Sequence, residues 1–370
     1  MKRDRIHIRQ WLFAISFLLL AVACSSSDES GEQQPTTLTV YVYSPEHPML
    51  IRSDVGNVNA SFDETKITRL QIWVFTNGTH EKVAYLDTKE TSQLNVGEGA
   101  AYQLPVSDDF AQSKPDVDVY VLANIPTEGY ASDSKLDGNS TRDAILSATI
   151  PGNYFGLTSP MTQVPDDGLP MAGALTSQPV IGEAPVLRVG TSSNIATVRL
   201  ERAVSKVRFV FANTTGAPEL TIKDIKLKDG MIPNIEYLIQ QTRTLSYNAS
   251  ESSLWTAEDV VEKVDDPTIY IYGGQEAQVY EDLIDQSEIT KIGPFYLRES
   301  DKKLSGTITY QFEGKDKQTG TFEMNAAGDF RRNHTWIVYA YHVGGGFLQL
   351  ETLYIKDWTT KEKSHEIYNW

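Results

Sequence analysis

Few residues of this chain have the type and spacing that chemistry requires. Its single cysteine, Cys24, excludes an intrachain disulfide and a cysteine-rich zinc site. Six histidines occur singly and form no HExxH pair on one helix face. The motifs G-x-S-x-G, Walker A and G-x-G-x-x-G do not occur either. These residues predict a protein without catalytic activity, bound metal or cofactor.

Acidic residues leave weaker alternatives open. The stretch Asp133–Gly138 loosely resembles a calcium-binding loop, but Lys135 stands where an oxygen ligand belongs. Paired carboxylates fall in predicted turns, where acidic residues are common for local reasons: Asp108-Asp109, Asp166-Asp167 and Asp265-Asp266. Sequence alone does not bring distant carboxylates together, so a glycosidase-like pair stays an unsupported alternative.

Cys24 follows an N-terminal segment that is typical of bacterial export. Four basic residues precede the apolar stretch Trp11–Ala23, whose 13 residues are too few for a spanning helix of about 20. The small residues Ala21-Val22-Ala23 before Cys24 resemble a lipobox, with Ala21 where leucine is commonest. We therefore predict a lipoprotein signal peptide over residues 1–24 and a diacylglycerol and palmitate anchor on Cys24. The alternative is a core cysteine after a buried helix.

The polar residues 25–37 predict a flexible tether to the outer membrane, which places the protein at the cell surface. The whole chain has 33 basic and 49 acidic residues, a formal charge of −16. Nucleic-acid binding needs a basic stripe on the protein, so this balance argues against a nucleic-acid partner. A length of 370 residues suggests about two domains.

From residue 38 onward the hydrophobic pattern has the period of a β-strand. In Asp116–Ile125 the odd positions are apolar and the others largely polar, which predicts a strand with one buried side. The stretches Ile67–Phe75, Thr307–Phe312 and Thr335–Val343 are also rich in β-branched and aromatic residues. One capped short helix is predicted after Ser140-Thr141-Arg142-Asp143, with weaker helical candidates at 258–264 and 279–286. The pattern predicts an all-β fold of sandwiches.

A domain boundary is predicted near residues 190–196, after a stretch rich in Pro and Gly. It divides the chain into an N-terminal β-sandwich over 38–192 and a C-terminal one over 193–370. The long strand Val198–Phe211 changes the parity of its apolar residues midway. A β-bulge near Arg202–Ser205 would keep both sets of apolar side chains inward.

Several short motifs occur in an order that resembles a known family. After the lipobox come Leu169-Pro170-Met171-Ala172-Gly173, the strand Val198–Phe211, Arg332-Asn333-His334-Thr335-Trp336, and a C-terminal pair, Trp358 and Trp370. This order is similar to that of the Bacteroidetes fimbrillin lipoproteins, the FimA/Mfa-like pilins. The resemblance spans most of the chain after Cys24. It implies two transthyretin-like antiparallel β-sandwich domains with short helices in loops.

The resemblance also implies a processing site. In that family an Arg/Lys-specific protease cuts the loop after the first strand, and removal of the strand opens a groove. Here the first strand is predicted at Thr37–Tyr43, with Leu38, Val40 and Val42 on one face, and prolines end it. Arg52 follows in a predicted exposed loop, so cleavage would leave Ser53 as the new N-terminus. Lys66 and Arg69 are poorer sites because they lie at or inside the next strand.

In the same family a C-terminal segment of the next subunit fills the groove. We predict that the donor is Leu353–Trp370, with these anchors: Leu353, Ile355, Trp358, Tyr368 and Trp370. A strand at the chain terminus can add to the open edge of a neighbour. The resemblance thus implies a stalk or tip subunit of an adhesive fimbrium, whose partners are other fimbrial subunits. The opposite interpretation is that this segment completes its own sandwich.

Two alternatives for the function stay open. One is a surface lipoprotein that binds glycans or proteins without polymerising, through an aromatic platform such as Trp73, Trp255, Tyr270, Tyr272 and Tyr296. These aromatic residues are also explained as core or sheet-face residues. The other alternative is a membrane-anchor subunit, which would keep its lipid and its first strand and would not need cleavage at Arg52.

Overall fold

A computed structural model provides the fold. It describes residues 36–43, 64, 66–89, 91, 99–113, 115–125, 136–150, 162–175, 195–240, 245–247, 252–267, 289–324, 330–355 and 365–368. Within these ranges the chain is almost entirely β-strand with two short helices, which confirms the all-β prediction. The signal peptide, Cys24, the tether up to residue 35 and the helical candidate at 279–286 lie outside the described residues.

The first half of the chain forms two sheets. Its strands are β1 (Thr37–Tyr43), β2 (Leu70–Thr76), β3 (Lys82–Thr88), β4 (Gly99–Pro105), β5 (Val117–Ala123), β6 (Thr149–Ile150), β7 (Met171–Leu175), β8 (Ile195–Arg199) and β9 (Glu201–Arg202). One sheet has the order β4-β1-β8 and the other β3-β2-β5-β7-β9. A single cluster of buried apolar residues joins their facing sides, which makes the pair a β-sandwich.

The second half forms another pair of sheets. Its strands are β10 (Ser205–Thr214), β11 (Leu220–Leu227), β12 (Glu236–Tyr237), β13 (Ser252–Trp255), β14 (Asp259–Val260), β15 (Lys263–Val264), β16 (Thr290–Leu297), β17 (Ser305–Phe312), β18 (Gln318–Glu323), β19 (Thr335–Gly344), β20 (Phe347–Ile355) and β21 (His365–Tyr368). The larger sheet runs β15-β10-β19-β20-β21, with β16 also on β10. The smaller runs β13-β11-β17-β18, with β14 on β11, and a second apolar cluster lies between the two sheets. The two-residue strands β6 and β12 belong to none of these four sheets and pair with each other.

Strand β5 differs from the prediction that one of its sides is polar and solvated. All seven of its residues are buried, including Asp118 and Tyr120. Asn77 donates a 2.9 Å hydrogen bond to the Asp118 carboxylate, and Arg142 donates to both Asp118 and the Tyr120 hydroxyl. The prediction was wrong because the segment around Leu136 and the helix that carries Arg142 cover the second face. Burial there raises the pKa of Tyr120 to about 12.

The stretch Val198–Phe211 is not one bulged strand, as predicted, but parts of three strands. β8 ends at Arg199, β9 covers Glu201–Arg202, and β10 begins at Ser205. Each of the three belongs to a different sheet, so the chain changes sheet twice within this stretch. The change of parity in the apolar pattern is real: Val198 packs in the first cluster, and Phe209 packs in the second.

The two clusters of buried residues meet within a short stretch of chain. The first contains Val204 and the second begins at Val207, while Tyr296 of β16 packs in the first. The boundary that we set between residues 192 and 193 stays a prediction.

The predicted short helix is confirmed as α2 (Arg142–Ser147). Its N-cap is Thr141, whose hydroxyl accepts a 3.2 Å hydrogen bond from the Ala144 amide. A helix that the sequence did not indicate, α1 (Asp108–Ser113), precedes it in the chain. The candidate at 258–264 was wrong, because β14 and β15 occupy that range and pair with β11 and β10.

Candidate functional site

The candidate site is built around strand β1. It lies in the middle of its sheet, antiparallel to β4 over seven residue pairs and parallel to β8 over five. Among the described strands, β4 and β8 form ladders with β1 alone. The whole three-stranded sheet therefore depends on β1, which contributes every backbone hydrogen bond between its members.

The side chains of β1 alternate between the core and the outer face. Leu38, Val40 and Val42 are at most 1% exposed, whereas the residues between them are half-buried. The register places Leu38 opposite Leu104 of β4, and it places Val42 between Ala100 of β4 and Val198 of β8. Burial of three such apolar side chains contributes roughly 5–9 kcal/mol before ordering costs.

Both ends of β1 are also fixed by hydrogen bonds. The Val106 amide donates to the Thr36 carbonyl at 2.9 Å, and the Leu200 amide donates to the Tyr43 carbonyl at 2.9 Å. The Thr36 hydroxyl donates to the Asp108 carboxylate at 2.9 Å, which ties the strand to the start of α1.

Removal of β1 would leave a slot that only another strand could fill. Neighbouring strands lie about 4.7–4.9 Å apart, so β4 and β8 would face each other across about 9–10 Å. Each would present a row of unpaired amide and carbonyl groups above an uncovered apolar cluster. An extended segment with apolar residues at alternate positions would pair with these backbone groups and would also cover the apolar cluster. Binding of this kind is strand addition. What the geometry offers is therefore binding of a peptide strand.

The predicted processing and lipidation residues, Arg52, Ser53 and Cys24, lie outside the described residues, as do Trp358 and Trp370 of the predicted donor. The other three donor residues lie in strands of their own sheet. Leu353 and Ile355 belong to β20, and Tyr368 belongs to β21. Donation to a second chain stays a prediction.

The two parts of the predicted donor differ in how firmly the backbone holds them. Strand β20 is paired on both sides, with β19 along nearly its whole length and with β21 at its end. Among the described strands, β21 is the last of the sheet and pairs with β20 alone, over the four residues His365–Tyr368. Release of β21 would break one short ladder, whereas release of Leu353 and Ile355 would also break the ladder to β19.

An exposed platform built from the five aromatic residues considered above does not fit the fold. Trp73 and Tyr296 are fully buried, and Trp255 is half-buried beside the second cluster. Tyr270 and Tyr272 lie outside the described residues. The indole nitrogen of Trp73 donates to the Asp137 carbonyl at 2.9 Å, so its polar atom is satisfied inside the protein.

Sequence reasoning missed a buried charged cluster between the two apolar clusters. The carboxylate of Glu64 accepts hydrogen bonds from Lys206 Nζ at 3.0 and 3.1 Å and from the Tyr296 hydroxyl at 2.5 Å. Arg202 Nε donates to the Glu64 carbonyl at 2.9 Å, and another guanidinium nitrogen donates to the Asn333 amide oxygen at 3.0 Å. The partners are separated by more than 130 residues in sequence, so no local pattern could have indicated them.

Three of the motifs that carried the family resemblance meet at this cluster. Met171 of the Leu169–Gly173 motif pairs with Arg202, and the Ala203 amide donates to the Pro170 carbonyl at 2.9 Å. The side-chain oxygen of Asn333 accepts from Arg202, and the backbone amide of Asn333 donates to the Val204 carbonyl at 2.7 Å. These motifs therefore lie at the place where the chain passes from one apolar cluster to the other.

The described residues contain no group of three or more His, Cys, Asp or Glu side chains that could hold a metal ion. Among the helices of this part of the chain, none is long and apolar enough to cross a membrane.

Comparison with solved structures finds fimbrial proteins of Bacteroidetes. The chain is similar to a fimbrial assembly protein from Parabacteroides distasonis, with 14% identity, coverage of 91% of this chain and 100% of the other, and a TM-score of 0.47. It is similar to the tip fimbrial protein Mfa3 from Porphyromonas gingivalis, with 12% identity, coverage of 86% and 99%, and a TM-score of 0.44. It is also similar to the fimbrial anchor protein Mfa2 from the same organism, with 10% identity, coverage of 86% and 97%, and a TM-score of 0.38.

No family model and no curated protein matches the chain. The resemblance to fimbrillins that the motifs indicated is confirmed as a similarity of structure to solved fimbrial proteins.

Proposed function

We propose that this chain is a structural subunit, stalk or tip, of an adhesive fimbrium at the cell surface, and that it polymerises by proteolysis-triggered strand exchange. The observation that carries the proposal is the position of β1, which is the sole ladder partner of β4 and β8 among the described strands. A protein built in this way loses one whole sheet when a single seven-residue strand leaves. An equivalent strand from another subunit would restore that sheet.

The remaining steps of the proposal follow from the sequence. Cys24 carries the lipid that holds the precursor at the outer membrane, and an Arg/Lys-specific protease cuts after Arg52. The released piece contains both β1 and the lipid. A single cut therefore opens the slot and also frees the subunit from the membrane. The subunit has no catalytic role and needs no cofactor.

The donor is the C-terminal tail of the next subunit. Its most readily released part is β21, which has a single partner, β20, in the part of the chain that the structure describes. Tyr368 and the residues up to Trp370 then supply apolar anchors, while Leu353 and Ile355 stay paired with β19 and act as the root of the tail.

A low dose of trypsin on the full-length protein tests the proposal. We expect loss of an N-terminal peptide that ends at Arg52, a large fragment that begins at Ser53 by mass, and ladders of multimers on a gel. The matched control is Arg52→Ala, which should stay uncut in this loop and monomeric. Wild-type protein that is cut after Arg52 but stays monomeric at every concentration would refute strand exchange.

Deletion of Ile367–Trp370 tests the donor separately. This change removes half of β21 and leaves the other described strands intact. The truncated chain should fold, be cut after Arg52 and form no ladder by itself. Normal fibres from the truncated chain would refute the assignment of the tail as donor.

The second candidate is a subunit or surface lipoprotein that keeps its own tail and does not polymerise, as an anchor subunit would. The observation that favours it is the pairing of β21 with β20 of the same chain. The mass of the form displayed on cells separates the two candidates. Lipid and β1 are retained in the second candidate and lost in the first.

A further inference from the structure

The segment that follows the proposed cleavage loop is held by hydrogen bonds and ion pairs at its start, its middle and its end. We call Glu64 together with Lys66–Arg69 the anchor segment. It lies between β1 and β2, and it is the first described part of the chain after Tyr43. Between Tyr43 and Glu64 the sequence contains one residue with the side chain that an Arg/Lys-specific protease requires, Arg52. Directly afterwards come two more, Lys66 and Arg69.

Glu64 attaches the start of the anchor segment to the interior. Its side chain is 8% exposed and faces Lys206, which is fully buried. Both carboxylate oxygens lie within 3.1 Å of Lys206 Nζ, and Tyr296 donates to one of them. The Glu64 carbonyl accepts from Arg202, so both the side chain and the main chain of this residue are engaged. Loss of the carboxylate would leave a buried ammonium group without its counter-charge, which is strongly unfavourable.

Asn124 attaches the middle of the anchor segment. Its amide nitrogen donates to the Lys66 carbonyl at 2.6 Å, and its amide oxygen accepts from the Thr68 backbone amide at 2.8 Å. These two bonds mimic a strand pair, so the backbone around Lys66 is fixed although its side chain is exposed. The ammonium group of Lys66 itself donates to the Asp166 carbonyl at 2.5 Å.

The end of the anchor segment is attached at Arg69. Its carbonyl accepts from the Asn124 amide at 3.1 Å, and its guanidinium group forms a two-pronged ion pair with Asp87 at 2.8 and 2.5 Å. The next residue, Leu70, begins β2 and pairs with β3 and β5. The backbone on both sides of Lys66 and Arg69 is therefore engaged.

A protease must bind several residues of extended backbone in its active site, so a bond inside folded structure is cut only when that region opens locally. We propose that the anchor segment, through Glu64 and Asn124, determines which basic residue is cut: it closes Lys66 and Arg69 to the protease and leaves Arg52 as the site of processing. Hydrolysis adds one water across the Arg52–Ser53 bond and gives a carboxylate on Arg52 and an amine on Ser53. The proposal rests on the proposed function.

The anchor segment also decides what leaves after the cut. The described residues upstream of Arg52 are held by the ladders of β1, by burial of its inner side chains and by the hydrogen bonds at its ends. The anchor segment is held separately, by Lys206, Arg202 and Asn124. After the cut no covalent bond joins β1 to the anchor segment, so β1 can leave while the residues from Glu64 onward stay attached to the rest of the protein. Glu64 and Asn124 act here as positioning residues, since neither contacts the bond that is cut.

The test is the pattern of trypsin fragments from the full-length protein, read by mass over a time course. Wild type should give a stable fragment that begins at Ser53. Glu64→Ala should in addition give fragments that begin at Ile67 and Leu70, formed at least tenfold faster than in wild type. The matched control is Glu258→Ala, because that glutamate pairs with Lys223 on the surface with 71% of its side chain exposed. This control should behave as wild type.

A second variant covers the case in which Glu64→Ala does not fold. Asn124→Asp retains a residue type that tolerates the positive φ of 57° at this position but removes the donor to the Lys66 carbonyl. It should open the same two downstream bonds. Wild-type fragment patterns from both variants would overturn the proposal. A uniform increase in cleavage at the lysines and arginines of β10, β11 and β16 would also overturn it, since the effect would then be global unfolding.

Failure of this inference is distinguishable from failure of the proposed function. If wild type is not cut after Arg52 while Glu64→Ala is cut after Lys66, the role of the anchor segment is supported and processing after Arg52 is refuted. If wild type is cut after Arg52 and both variants give the same fragments as wild type, processing after Arg52 is supported and the role of the anchor segment is refuted.

Discussion

Replacement of Leu38 by alanine measures how much the first sheet depends on β1. Leu38 is 1% exposed and lies opposite the fully buried Leu104 of β4. Truncation of a buried leucine to alanine costs about 2–5 kcal/mol, since the apolar burial is lost and a cavity stays behind. At 1.36 kcal/mol for each factor of ten, even the lower end raises the population of the state without β1 by about 30-fold.

Hydrogen–deuterium exchange read by mass on peptides is the assay. Amides of β1, β4 and β8 should exchange at least about 30-fold faster in Leu38→Ala than in wild type, because their ladders form around β1 alone among the described strands. The matched control is Thr39→Ala in the same strand, whose half-buried side chain points to the other face. It should change exchange by less than about fivefold, which corresponds to up to about 1 kcal/mol of strand propensity.

Two results would refute this reasoning. One is equal exchange in β1 and β4 for Leu38→Ala and Thr39→Ala, which would mean that the inner face of β1 does not hold the sheet together. The other is an equal acceleration in β11 and β17, which line the second cluster. That result would mean that the two clusters open as one unit and that β1 cannot leave on its own.

Three further changes test other parts of the fold. Gly168→Ala should lower the free energy of unfolding by at least about 1–3 kcal/mol in urea titrations, because φ is +88° there and a Cβ would lie 2.4 Å from the side chain of Asn124. Burial raises the pKa of Tyr120 from 10 to about 12. The stability that its neutral form contributes is therefore complete below pH 10 and is lost as the pH rises through 12. In wild type the urea midpoint should fall over this pH range, and in Tyr120→Phe that fall should be smaller. Arg69 lowers the pKa of Asp87 through a hydrogen bond and its charge, so this pair stabilises the fold above about pH 4 and does so less as the pH falls through the lowered pKa. Asp87→Asn should cost up to about 1 kcal/mol at pH 7 and progressively less below pH 4 in the same titrations.

The parts of the fold that the sequence predicted are those set by local patterns. The alternation Leu38, Val40, Val42 predicted β1 and its inner face, and Thr141 with the residues after it predicted α2. In both cases the sequence pattern that carries the prediction lies within a few consecutive residues. The same reasoning failed for 258–264, where two-residue strands are stabilised by pairing with β10 and β11 and leave no pattern of their own.

The site itself was predictable only in part. The first strand was predicted from Thr37–Tyr43. Cleavage after Arg52 stays a prediction. That β1 occupies the middle of a three-stranded sheet depends on β8, which lies more than 150 residues later in the chain. The ion pair between Glu64 and Lys206 was not predictable either, because a glutamate among polar residues is normally a surface residue. Burial of Asp118 was missed for the same reason, since its partners Asn77 and Arg142 come from other elements.

The mixed pairing of β1 has a consequence for any assembly built on it. Because β1 runs antiparallel to β4 and parallel to β8, a replacement with the same hydrogen bonds can enter in one orientation only. A shift by one residue would turn its apolar side chains outward, so the register is fixed as well. Each contact would then join two different surfaces, head to tail, and such contacts generate an open filament wherever the rotation between neighbours does not close a ring. The filament would be polar: one end would always carry an empty slot, and the opposite end would always carry an unused tail.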